Sequence, residues 1–418
     1  MNAFASAFQI WEEGADGTGN YHAGGAAIAN SAVTSFYNPA GLVRLKHQEI
    51  SLGAAIITTK IKYKGDVKEV ISFGPFVFDH TGYASVNGGD SNLIPNFHYA
   101  LPINPDWVFG FDITTPLGLD TNYGKRSELR YVATKTTVQA LNISPSVGFK
   151  ANDKLSFGFG VDAQRLKAEF NEVGGIDEPL LPVTDKIDNN KLFDWGYGFH
   201  AGVLYQFTPQ TRVGLSYRSK ITHHATGVST YEDPSVGTTR STNLKTTLIM
   251  PATTMLSFYQ DINKMFAWMA TATYSQWSAF NKLVLKNVAG EDGTGSHVTN
   301  ITIDVPQHYR NTWNLGLGTI ITVNPYWQLT AGIGYDQSPV STRYRTVQVP
   351  DKDHKAVSLG AHYQPTKALG FDLGWTHIFI GSARVNNHIT VGPETVLADG
   401  NVNSSANVFG GQLTYDFL

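Results

Sequence analysis

Few residue sets in this chain of 418 residues could carry out covalent chemistry. Cysteine is absent, which excludes thiolate metal sites, cysteine catalysis and disulfide scaffolds. The 13 histidines form no His-Glu-x-x-His pair, and no Asp-rich calcium loop is present. His223 and His224 are ligand types without partners at useful spacing, and they read as surface residues. "GGAAIAN" lacks the Lys-Ser/Thr that completes a phosphate loop. No Ser/His/acid set has a convincing spacing, so the expectation is no enzyme, no metal and no cofactor. The net charge of -3 gives no reason to expect nucleic acid.

What remains is chemistry of fit and charge. "TSFYNPAGLVRL" holds Asn38, Pro39 and Ala40, a rigid small-residue turn in which Pro39 has no N–H to donate. "FGFDITTPLGL" holds Thr115, Pro116 and Gly118 inside an otherwise strand-like run, where a proline removes a ladder bond and belongs at an edge or bulge. Arg310 and Arg165 are bidentate carboxylate holders by type. Alternation along "NTWNLGLGTIITV" puts Arg310 on the face shared by Asn314 and Gly316. Alternation from Phe157, Phe159 and Val161 puts Arg165 on the apolar face instead. "DEPLLPVTD" sets Leu180, Leu181, Pro182 and Val183 as an apolar island in an acidic loop, and such islands tend to mark binding surfaces.

These residues have to be positioned by strands. Charged residues are only 16% and hydrophobic ones 42%, interleaved with a period of two. "KLSFGFGVDA", "GFHAGVLYQF" and "YWQLTAGIGY" each show one apolar face and one Gly/Ser/Thr/Gln face. Aromatics cap the apolar faces at Tyr205, Phe207, Trp327, Tyr335, Tyr415 and Phe417, as at a membrane interface. No run reaches the ~18 apolar residues of a membrane helix. Short connections rich in Pro, Asn and Asp alternate with long polar ones near 65–91, 119–130, 172–190, 227–241, 287–297, 338–350 and 384–402. The count between them is fourteen strands. The reading is all-β: a 14-stranded antiparallel transmembrane β-barrel, residues 48–418, plugged by a small N-terminal helical hatch, residues 1–47. The start reads as a mature form with its signal peptide removed, Met1 being added.

In four ordered segments the chain resembles the FadL/TodX family of outer-membrane transporters for long-chain fatty acids and aromatic hydrocarbons. The segments are "AFQIWEEG" with "NPAGL", "FGFDITTPLGL", "PATTMLSFYQDINKMFAWMATATYSQWSAF" and "GIGYDQSPVSTRYRTVQVPDKDHKAVSLGAHY". The resemblance implies capture of a hydrophobic molecule at the extracellular loops, binding beside the hatch, and lateral exit at a kinked third strand. It assigns Asn38, Pro39, Ala40, Thr115, Pro116 and Gly118 to the gate. Phe8, Arg165 and Arg310 would touch ligand, with Leu180, Leu181 and Val183 in the capture groove. Implied partners are a fatty acid or similar hydrophobe, outer-membrane lipid and lipopolysaccharide, and the barrel-assembly machinery, for a monomer in a Gram-negative outer membrane. Rivals are a monoaromatic-hydrocarbon channel, a lipid-modifying barrel enzyme and an open porin. Leu418, after Phe417, departs from the terminal aromatic of the family.

Overall fold

The computed structural model describes residues 7–73, 76–174, 185–292, 294–391 and 394–418. Among them, nineteen strand segments form one antiparallel sheet that closes on itself. Five wall strands are interrupted, so the segments make fourteen staves. These are β1 (Gln48–Phe73), β2 (Phe76–Asn87 continued by Ser91–Pro102), β3 (Trp107–Asn122), β4 (Lys135–Lys150), β5 (Leu155–Gly174), β6 (Lys186–Thr208) and β7 (Thr211–Arg218, Ile221–Asp233). The circuit continues with β8 (Gly237–Met250, Thr253–Asp261), β9 (Phe266–Ser275, Lys282–Glu291), β10 (His297–Pro306, Thr312–Asn324), β11 (Trp327–Asp336), β12 (His354–Tyr363), β13 (Leu369–Val391) and β14 (Glu394–Phe417). β14 pairs back onto β1 from Gln48↔Phe417 to Ile71↔Glu394, leaving no open edge there.

The alternation seen in the sequence is the alternation of the wall. Phe157, Phe159 and Val161 point outward, while Ser156 and Asp162 are buried inside. Outward Leu52, Ile56, Leu215, Leu315, Leu329 and Leu359 extend the apolar belt, and Trp107, Phe207, Trp327 and Tyr415 ring its short-turn end. The short turns share one device. The side-chain oxygens of Asn104, Asn152, Asn263 and Asn324 each accept two backbone N–H groups, those two and three residues further on.

The long polar connections differ from the expectation. Most of 65–91, 227–241 and 384–402 is strand, not loop. These segments lack an outward apolar face because they stand in water on the far side of the membrane, and their apolar residues, among them Val67, Val385, Ala398 and Val402, are buried inside. At ~3.3 Å per residue and a tilt of ~40°, the 26 residues of β1 rise roughly 65 Å, against an apolar belt of ~25 Å.

Residues 7–47 fill the short-turn half of the lumen, in two single-turn α-helices and a 3-10 helix, Pro39–Arg44. Inward glycines let this plug approach the wall. A Cβ on Gly214 would lie 1.8 Å from Ala26 O, one on Gly332 2.3 Å from Asn20, and one on Gly158 2.2 Å from Ala40 N. Side chains then tie it down. Arg212 Nε donates to Ala27 O at 2.6 Å and its Nη2 to Ile28 O at 2.7 Å, and Arg218 Nη2 donates to Phe36 O at 3.1 Å.

Candidate functional site

The wall is discontinuous between β2 and β3. β2 pairs with β3 only from Phe97↔Ile113 to Pro102↔Val108. Beyond Ile113, β3 leaves β2, and its register against β4 shifts between Thr114 and Leu117. Pro116 lies within that bulge, and β3 continues for six residues past it to Asn122. In- and outward alternation is lost there, because Thr114–Leu119 are all buried. Pro95, just past the last paired residue of β2, is a second residue with no N–H for a ladder. Asn92 Nδ2, Asn96 Oδ1 and Thr114 Oγ1 remain buried without hydrogen-bond partners on the two strands flanking the seam.

The hatch supplies the bonds that β3 has lost on that side. Ile10 N–H donates to Pro116 O at 2.8 Å, and Gly118 N–H donates to Phe8 O at 2.8 Å, around the antiparallel bridge Gln9↔Leu117. Thr115 N–H donates to both carboxyl oxygens of Glu13 at 3.1 Å. His98 joins the two sides, with Nδ1 on Asp112 at 2.6 Å and Nε2 on the carbonyl of Glu13 at 2.7 Å. Upstream, Ala7 N–H donates to Asp351 Oδ2 at 2.9 Å. Burial pushes the Glu13 carboxyl up to about 8, the Thr115 N–H and His98 opposing it and Glu12 adding to it. Burial likewise pushes Glu12 up to about 6.

Two cavities lie on either side of this segment. The outer one, of ≈ 80 Å³, is lined by Phe8, Leu119, Val138, Leu248, Phe280 and Ile303 among others. The inner one, of ≈ 60 Å³, is bounded by Gln9, Ile10, Trp11, Pro39, Pro116 and Leu117 among others. Phe8 forms part of the floor of the first, its ring edge-on to Trp277 at 4.7 Å and to Phe280 at 6.1 Å. Residues 8–11, clasped to the bulge, are thus the partition between the cavities.

Other sequence candidates sit elsewhere. Pro39 borders the inner cavity with Pro116, but Asn38 and Ala40 pack on β6 and β5. Asn38 Nδ2 donates to Ala26 O at 2.7 Å and Val203 O at 3.1 Å, and Ser156 Oγ donates to Ala40 O at 2.8 Å. The segment that touches the bulge is residues 8–13, which the sequence reading matched within "AFQIWEEG" but to which it gave no role beyond Phe8. Arg165 is corrected: its guanidinium lies 5.1 Å from the Phe193 ring and 5.8 Å from Trp195, both outward aromatics. It is on the outside of the barrel, as its parity required. Arg310 lies in the break within β10, pairs with Asp353 at 3.1 Å and is 58% exposed. It does not line either cavity. Leu180, Leu181, Pro182 and Val183 lie outside the described residues. Of the histidine pair, only His224 is on the surface. His223 is fully buried between Gln164 Oε1 at 3.0 Å and Asp194 Oδ2 at 3.2 Å, because neighbours on a strand face opposite ways.

Two groupings resemble reactive centres. Ser35, Asp112 and His98 are in contact, but Asp112 sits between the hydroxyl and the ring, and both His98 nitrogens are engaged. The histidine therefore cannot take the serine proton. Asp233, Glu291 and His297 are of metal-ligand type and lie within 4.8 Å of one another. The Lys186 ammonium bridges both carboxylates, so one of their two charges is already matched.

A family model described as outer membrane protein transport protein (OMPP1/FadL/TodX) matches residues 1–417. Outer membrane protein P1 of Haemophilus influenzae is 28% identical, over 99% of this chain and 96% of that protein. The long-chain fatty acid transport protein of Escherichia coli strain K12 is 25% identical, over 99% and 95%. Among solved structures, a Pseudomonas aeruginosa FadL homologue superposes with a TM-score of 0.83 at 24% identity, covering 99% of this chain and all of that one (100%). The Ralstonia pickettii toluene transporter TbuX superposes with a TM-score of 0.68 at 20% identity, covering 98% and 100%.

Proposed function

The chain belongs to the OMPP1/FadL/TodX family of Gram-negative outer-membrane transporters of hydrophobic compounds and is no enzyme; on that premise we propose that it carries long-chain, fatty-acid-type molecules. They are captured at the extracellular face, held in the cavity above Phe8, and released sideways between β2 and β3. The single observation that carries this reading is the replacement of the β2–β3 ladder by the hatch segment 8–13. A backbone pairing supplied by a plug can be withdrawn, whereas a continuous barrel ladder cannot open without leaving unpaired groups in lipid. Withdrawal of residues 8–11 would merge the two cavities and uncover the seam at Pro116. Lateral release spares an apolar molecule an aqueous lumen in which it is poorly soluble. Passage is down a gradient, and Thr115, Pro116 and Gly118 form the gate, with Pro39 on its far side. Lipopolysaccharide surrounds the belt, and the barrel-assembly machinery inserts a monomer.

The aliphatic substrate is supported by the fatty-acid transport named for the Escherichia coli relative. One observation favours a monoaromatic hydrocarbon instead: neither Arg310 nor Arg165 is at the cavity to meet a carboxylate. Uptake of labelled oleate and labelled toluene by cells lacking their own transporter decides between them. With Gly118→Arg at equal surface expression, oleate uptake is expected to fall to background. Toluene uptake without oleate uptake would move the assignment to hydrocarbons, and equal uptake by both forms would refute the gate.

A further inference from the structure

The lipid-facing side of the wall carries an open trough of ≈ 780 Å³ that crosses β7 to β12. Its floor is Ala270 and Ala272 on β9, outward residues too short to fill the apolar belt. Ala272 lies between Leu256 and Leu315 on the neighbouring strands, and Ala270 between Phe258 and Leu317. Aromatic pairs close the trough along β9. Trp268 packs on Phe258 at 4.9 Å on the short-turn side, and Tyr274 on Trp313 at 4.9 Å on the extracellular side. From Leu315 the same row continues to Tyr335 on β11 and Lys355 on β12, both of which line the trough.

The row climbs as it crosses the tilted strands. Leu256 is five residues from Asp261 at the short-turn end of β8, whereas Lys355 is eight residues from Tyr363 at the short-turn end of β12. At ~3.3 Å per residue and ~40° of tilt, Lys355 stands about 20 Å up a belt of ~25 Å, near its extracellular edge. Lys355 is exposed, and no carboxylate pairs with it among the described residues. Asp353, two residues away, is already held by Arg310 Nη2 at 3.1 Å, the Tyr335 hydroxyl at 3.0 Å and the Ser338 N–H at 2.9 Å. The upper end of the trough therefore offers an unmatched ammonium, and the outward side chains below it are apolar.

This is the complement of an anionic lipid. Lipid tails are as apolar as the wall, so a groove holds a chain by closeness of fit, not by removing it from water. A phosphate on the ammonium adds the charge term. We propose that the trough seats an acyl chain of a phosphorylated outer-leaflet lipid, the lipid A part of lipopolysaccharide, with one of its phosphates on Lys355. A phospholipid of the inner leaflet would carry its phosphate at the opposite edge of the belt, about 20 Å below Lys355. The site is separate from the cargo path. β9 and β10 stand six and seven staves from β3 in a circuit of fourteen, on the opposite side of the barrel.

The test is photo-crosslinking of the full chain in the outer membrane of living cells. Ile333 on β11, which lines the trough, is replaced by p-benzoylphenylalanine, and the adducts are separated by mass. Val161 on β5 is the reference position, outward and six residues from the short-turn end of its strand, as Ile333 is. Ile333 should yield a lipopolysaccharide adduct at least about fivefold more abundant than Val161 does. Lys355→Gln should cut the Ile333 adduct about fivefold, the worth of one basic residue against anionic lipid. Ala272→Trp, which fills the floor, should cut it about threefold or more. Arg165→Gln alters a cation stacked on Phe193 and Trp195 outside the trough and should leave the adduct within about twofold. Heat-dependent gel mobility shows that each variant is a folded barrel. Equal yields at the two positions, or a yield unmoved by Lys355→Gln, would overturn the proposal. So would a phospholipid adduct or a crosslink to a second copy of the chain in place of lipopolysaccharide.

Discussion

Glu13 is the residue on which the gate's pairing turns, since its carboxyl holds the Thr115 N–H and its carbonyl accepts from His98. Burial pushes its carboxyl from the ordinary 4.5 up to about 8 in the folded chain. Between those two values the unfolded or undocked segment binds fewer protons than the docked one. Docking is therefore strongest at low pH and weakens as pH rises from about 4.5 to about 8. Hydrogen exchange of the amides of residues 8–13, corrected for intrinsic rate, should quicken across that window. Glu13→Gln should flatten the response, and an unchanged slope in the variant would assign it to another group. Arg310 gives the opposite expectation. Its pair with Asp353 is an exposed rim contact of about 0–1 kcal/mol, so Arg310→Ala should leave uptake of a long-chain substrate within about twofold of wild type. A loss of uptake at equal surface expression would return Arg310 to the ligand path.

At the scale of elements, the inward glycines and the bulge of β3 do complementary work. Glycines on β5, β7 and β11 let the hatch backbone lie against the wall, while the bulge brings β3 inward to meet residues 8–13. A side chain at Gly214 would collide with Ala26 O and C, next to the Ala27 and Ile28 carbonyls that Arg212 of the same strand holds. Gly214→Val should thus displace the plug while the outward belt still closes the barrel. Planar-bilayer conductance should rise from near zero to that of an open pore, and conductance equal to wild type would show that the plug tolerates the shift. The bulge was legible in the sequence, since a proline followed by glycine inside "DITTPLGL" has few other meanings. The glycine faces were legible as small faces, but nothing local says what lies against them. The clasp at residues 8–13 was not legible either, because its partners are about a hundred residues away and bond through backbone atoms that any sequence possesses.

For the molecule as a whole, period-two alternation and aromatic girdles suffice to reveal a membrane barrel, because lipid on one side and lumen on the other impose opposite chemistry on neighbouring residues. The same reasoning misjudged the extracellular half. Segments such as "VKEVISF" on β1 and "RVNNHITV" on β13 continue as strand beyond the lipid, where both faces tolerate polar side chains. The direction in which Arg165 points followed from parity alone. The central claim is that the hatch segment must leave β3 for the cargo to pass. The chain has no cysteine, so Gln9→Cys with Leu117→Cys places a single reducible bond across a pairing whose strands lie at disulfide distance. Uptake of labelled oleate by cells expressing this double variant, oxidised and then reduced, tests the claim. The account predicts uptake near background when the bond is closed and recovery to wild-type rates on reduction. Equal uptake in the two states, with the bond verified, would show that cargo passes without the hatch releasing the wall.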